Sequence, residues 1–85
     1  MVHPSKNRKV ITKGIVLPSE WDEMGSVMAL TFFAHDENEY RVERNEMSLK
    51  LHDYLRQELL VEGNLRWEQS RKIIQITEFW LSADL

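Results

Sequence analysis

The sequence predicts an all-β fold: a small five-stranded barrel with one helix between its third and fourth strands. Hydrophobic alternation with a period of two recurs in five separate segments, and between the third and fourth of these the period changes once to about 3.6. The length of 85 residues leaves room for one domain around one core. Hydrophobic residues make up 42% of the chain and charged residues 29%, a mixture that specifies a packed globule and excludes a disordered or fibrous chain.

The first strand is expected over residues 8–17, a β-branched run ended by Pro18, since proline cannot donate to a ladder. Gly14 inside it weakens a plain strand. Its expected role is therefore a bulge or sharp coil where one strand serves both sides of a small barrel. Residues 19–25 are polar, end in Gly25 and read as a loop. A second strand follows over 26–34, with Met28, Leu30 and Phe32 expected inward and Thr31 and Phe33 outward. The polar cluster at 35–39 turns the chain, and residues 40–43 return as a third strand with Tyr40 and Val42 on one face.

From Asn45 the spacing of Met47, Leu51, Tyr54 and Leu55 is helical, and Asn45 or Ser48 can cap the first turn, predicting a helix of about ten residues. Residues 59–67 alternate cleanly, with Leu59, Val61, Gly63, Leu65 and Trp67 sharing a face. Trp67 is thus expected to be buried. After a polar turn at 68–71, a fifth strand spans 72–81 and a frayed tail covers 82–85. In that last strand Trp80 has the phase of Ile74 and Ile76, whereas Phe79 and Leu81 have the other. A bulge near Glu78 would reconcile them.

The chain has no cysteine, which removes disulfides, thiolate metal sites and thiol nucleophiles and fits a reducing cytoplasm. No apolar stretch of the secretory kind follows the basic N-terminus, and no run of about 18 apolar residues occurs, so a cytoplasmic protein without membrane contact is expected. His3, His35 and His52 have no second histidine at ligand spacing, and Gly14, Gly25 and Gly63 form no phosphate loop. The neighbouring acids Asp22–Glu23 and Asp36–Glu37 belong to loops, not to a cleft. The expectation is a non-catalytic binding module without metal or cofactor.

Charge is unevenly spread behind the formal net value of −3. Residues 1–18 hold Lys6, Arg8, Lys9 and Lys13 and no acid, whereas residues 19–46 hold eight acids against Arg41 and Arg44. A continuous basic stripe is absent from the sequence.

A first strand broken by Gly14, a meander through Tyr40, a helix bridging strands three and four, and the closing VEGNLRWEQSRKIIQITEF hairpin resemble the oligonucleotide/oligosaccharide-binding (OB) superfamily. The resemblance spans residues 10–81 and implies an OB-type Greek-key barrel. It further implies a ligand across strands two and three, flanked by the loops joining strands one to two and four to five. Carried onto this chain, the face consists of Thr31, Phe33 and Arg41. Trp21 flanks it in the first loop, Arg71 and Lys72 at the second, and Arg66 extends it on strand four. The implied ligand is single-stranded DNA or RNA, held weakly, because aromatic faces stack on bases while arginine and lysine attract phosphates.

Each of these residues has a competing expectation. Phe33 also suits a satellite core position under a loop or under an N-terminal arm at residues 1–8. Trp21 lies among Glu20, Asp22 and Glu23, which repel phosphate and favour a protein partner or a homodimer; a sugar is the remaining chemical option. Arg41, Arg66 and Arg71 also suit solvated positions paired across strands with glutamates.

Overall fold

The computed structural model describes residues 8–85. The expected N-terminal arm lies outside these residues, except that Arg8 already belongs to a strand. In chain order the elements are β1 (Arg8–Trp21), β2 (Val27–Ala34), β3 (Glu39–Val42), α1 (Glu46–Leu51), β4 (Glu58–Glu68) and β5 (Arg71–Leu81), followed by a turn of 3-10 helix at Ser82–Asp84. The strands close a barrel in the order β1-β2-β3-β5-β4. All contacts are antiparallel except the seam between β3 and β5, where Arg41 faces Ile73 and Val42 faces Ile74. This is the all-β, closed five-stranded barrel with one helix between β3 and β4 that the sequence predicts.

Gly14 makes the closure possible. The first half of β1 pairs with β4 and the second half with β2, and Gly14 belongs to both, facing Ala34 on one side and Leu59 on the other. A Cβ at Gly14 would lie 2.3 Å from the Phe33 carbonyl oxygen and 2.7 Å from Phe32 Cζ. Only a residue without a side chain lets β2 approach this closely.

β1 runs through Pro18 to Trp21 instead of ending at Leu17. The register slips on both sides of Glu20, and at an irregularity a missing proline N–H costs no ladder bond. The same irregularity corrects Met28. Leu30 and Phe32 face the core as expected, joined by Ala34, but Met28 is half exposed because the slip removes it from their phase.

A second slip, between Glu62 and Gly63 of β4, leaves Thr77 as the extra residue on β5. Thr77 donates from its hydroxyl to the Glu62 carbonyl oxygen at 3.1 Å. This bulge reconciles the two phases of β5: Ile74 and Ile76 are fully buried, Phe79 and Leu81 pack against the same core, and Trp80 turns outward.

The helix is six residues long, shorter than predicted. Asn45 Oδ1 accepts from the Ser48 N–H at 2.8 Å and Ser48 Oγ accepts from the Asn45 N–H at 2.9 Å, a reciprocal cap. Asn45 also donates from Nδ2 to the Ile76 carbonyl at 3.2 Å, tying the helix start to β5. Leu51 is fully buried in the barrel core, with Met47, Tyr54 and Leu55 packed around it. The chain beyond Leu51 keeps the helical spacing as successive turns, with the Tyr54 N–H donating to the Leu51 carbonyl. Arg56 ends them with a φ of 69°. The apolar period therefore outlasts the regular helix. The tail is likewise ordered as a single 3-10 turn.

Trp67 is 43% exposed, against the expected burial. Its phase is that of Leu65, but it stands opposite Lys72 one pair from the hairpin end, beyond the layers that fill the barrel. Phase predicts the direction of a side chain; burial also requires something to cover it.

Candidate nucleic-acid interface

Along β2 and β3, Leu30, Phe32, Tyr40 and Val42 enter the core, which turns Thr31, Phe33, Glu39 and Arg41 to the outside. Thr31 faces Arg41 across the two strands, and Phe33 faces Glu39. The row continues around the barrel, because Thr31 also faces Leu17 of β1, Arg41 faces Ile73 of β5, and Ile73 faces Arg66 of β4. Ile73 is buried without belonging to the barrel core, as an apolar strip between two arginines.

One shallow groove on this face, about 230 Å³ in volume, brings together Thr31, Arg41, Arg71 and Lys72 with Ser19 and two acids, Glu20 and Glu39. Four of the seven sequence-predicted residues thus meet. Arg66 lies in a neighbouring groove of about 260 Å³ that shares Arg41 and adds Arg44 and Glu43. Phe33 is half-buried next to the first groove, between Ile15 and Glu39. Trp21 is not brought to either: it pairs with Val27 at the far end of β1 and is 57% exposed there.

The cations differ in how they are held. Arg41 donates from Nη1 to Glu20 Oε2 at 3.2 Å. Arg66 bridges two carboxylates, donating from Nε to Glu68 Oε2 at 2.8 Å and from Nη1 to Glu43. These hydrogen bonds, the Glu68 contact first, push its guanidinium above the ordinary arginine range. Lys72 Nζ donates to Asn38 Oδ1 at 2.7 Å and lies 5.9 Å from the centre of the Tyr40 ring. Burial, reinforced by the Asp36 charge, pushes the Tyr40 phenol above its ordinary value of 10.0. Arg71 makes no ion pair among the described residues. The groove therefore offers one unengaged guanidinium, one ammonium anchored by a neutral amide, and one guanidinium shared with a carboxylate.

The turn facing Lys72 is itself well braced. Asp36 Oδ1 accepts from the Asn38 N–H at 3.1 Å, and its hydrogen bonds to Asn38 hold the carboxyl below its ordinary value of 3.8. The β4–β5 hairpin that carries Arg71 and Lys72 closes through Gln69 and Ser70, both at positive φ, 51° and 70°. Asn-Gly is the usual choice for such a turn.

Several members of this surface are not legible in the sequence, among them the groove acid Glu39, whose place depends on the β2–β3 pairing. Glu20 and Arg44 belong to segments whose orientation depends on the β1 irregularity and on the end of β3, and neither is visible in periodicity. Trp67 has the phase of a core residue, yet it stands exposed beside its cross-strand neighbour Lys72.

Among the described residues, no group of three or more histidines, aspartates and glutamates is placed to hold a metal ion, and no helix is long and apolar enough to cross a membrane. Comparisons with protein-family models, with curated proteins and with solved structures find no match to this chain.

Proposed function

We propose that this protein is a non-catalytic binding module of the OB superfamily that holds single-stranded DNA or RNA weakly across the β2–β3 face. The observation that carries the reading is the convergence of Arg41, Arg71 and Lys72 with Thr31 in one open groove, in a chain whose net charge is −3. Phosphates run past these three cations, while Phe33 and Trp67 at the margins offer ring faces to bases. Stacking contributes about 1–3 kcal/mol per base and tolerates any sequence. Glu20 and Glu39 in the same groove set the affinity low. Fluorescence anisotropy of labelled oligonucleotides at low salt tests the reading. Binding is expected at or below about 0.1 mM, within the range of sequence-independent contacts, and its absence there sinks the proposal.

A second reading is favoured by Trp21, which is exposed outside the groove lining and flanked by Glu20, Asp22 and Glu23. In it the protein is an interaction or self-assembly module with a protein partner. A surface aromatic set among acids suits a protein better than a nucleic acid.

A further inference from the structure

Half of the exposed large hydrophobic side chains among the described residues gather at one end of the barrel. Trp21 is 57% exposed, Met24 87%, Met28 50% and Leu49 59%. Trp21 pairs with Val27 at the end of the β1–β2 hairpin, and Met24 projects from the turn between them. Val27, Met28 and Leu49 line one small cleft between β2 and α1, with Arg44 and His52 at its polar rim. Methionine is unbranched and polarizable and adapts to an opposing surface, and monomeric proteins seldom leave such side chains contiguous in water.

The charges flanking this patch decide what covers it. The hairpin turn carries Asp22 and Glu23. Asp22 is committed to its own turn, accepting from the Met24 and Ser26 N–H groups at 2.8 and 2.9 Å, which leaves Glu23 as the outward carboxylate. At the cleft on the other side of Met28 stand Arg44 and His52. Among the described residues, Glu23, Arg44 and His52 make no ion pair. The patch is acid at one end, cationic at the other and apolar between, so it is complementary to itself under a two-fold rotation.

We propose that this end of the barrel is a homodimer interface, in which the β1–β2 turn of each copy lies against the α1 cleft of the other. Met24 of one copy packs on Leu49 and Met28 of the other, and Glu23 faces Arg44. Both contacts occur twice, once on each side of the axis. The surface is smaller than the roughly 20–30 residues a side of a standard interface, so the dimer is weak and concentration-dependent. The groove holding Thr31, Arg41, Arg71 and Lys72 shares no residue with these contacts and stays open in the dimer, whereas the neighbouring groove at Arg66 shares Met28 and Arg44 with them.

Sedimentation equilibrium of the full chain tests this. The weight-average mass is expected to rise from 10.1 kDa toward twice that value between about 10 µM and about 500 µM, the range of a micromolar contact. Met24→Lys, Arg44→Glu and Glu23→Arg should each hold the mass at that of the monomer, while circular dichroism shows the fold retained. Mixing Arg44→Glu with Glu23→Arg should restore the dimer, because each variant then supplies the charge the other lacks. A wild-type mass flat at 10.1 kDa across this range overturns the proposal. So does a dimer indifferent to all three substitutions, and so does growth beyond the dimer, which would mean a head-to-tail contact.

Discussion

Arg41 Nη1 and Glu20 Oε2 lie 3.2 Å apart across the groove on the β2–β3 face. The central cation of the candidate interface is thus shared with a carboxylate before any ligand arrives, and a phosphate must compete for it. Exposed pairs of this kind contribute about 0.2–1 kcal/mol. Glu20→Gln is therefore expected to tighten oligonucleotide binding about two- to fivefold and to leave thermal stability unchanged, as read by anisotropy and by a melting curve. Weaker binding by Glu20→Gln would mean that the carboxylate positions Arg41 instead of competing with the ligand.

Among the described residues, Arg71 and Lys72 differ from Arg41 in having no carboxylate partner. If each contacts a phosphate, each contributes about 0.7 to the slope of log affinity against log salt for a single strand. The wild-type slope is expected near −2 for three cations. Arg71→Ala or Lys72→Ala should each reduce its magnitude by about 0.7 and weaken all base sequences alike. A slope that does not change in either variant would remove these residues from the interface.

Trp67 stands 43% exposed opposite Lys72, where a base leaving the cationic groove could stack on it. Trp67→Ala is expected to weaken single-strand binding about tenfold, within the roughly 1–3 kcal/mol that stacking supplies. The urea midpoint should stay nearly constant because Trp67 lies outside the core and outside the side chains packed against it. A large fall in stability with unchanged affinity would identify Trp67 as a structural residue.

Gly14 offers a test of the barrel itself. An added Cβ would meet backbone, the Phe33 carbonyl oxygen at 2.3 Å, and backbone in a two-sided strand has little room to yield. Gly14→Ala is expected to cost about 3 kcal/mol, at the upper end for overpacking. For a domain of this size that lowers the melting temperature by more than about 10 °C. A shift of only a degree or two would show that β1 can bend away from β2 at this point.

Much of this fold is legible in the sequence, because each strand has a clear phase and the helical spacing of Met47, Leu51, Tyr54 and Leu55 interrupts the alternation only once. Even the β5 bulge can be read, since Phe79 and Leu81 conflict with Ile74 and Ile76 unless an extra residue intervenes. The irregularity beside Pro18 is not legible. It exposes Met28 and carries Trp21 away from the groove, and nothing in the local pattern of β1 announces a slip that arises in its pairing with β2. Trp67 escapes for a different reason: its phase is right, but the barrel ends before it. Of the candidate site, Thr31, Arg41, Arg71 and Lys72 can be placed together from topology. The acids that temper them, Glu20 and Glu39, become visible only when the strands are paired.

The proposed function turns on where a single strand lies, and amide chemical-shift mapping with an unlabelled oligonucleotide of about ten nucleotides, a length within the site sizes of single-strand-binding modules, locates it directly. The largest changes are expected at Thr31, Phe33, Arg41, Arg71 and Lys72, with smaller ones at Arg66 and Trp67 and none at Met24 or Leu49. Saturating oligonucleotide that leaves the β2–β3 face unperturbed, or shifts confined to the Trp21 end of the barrel, would contradict it.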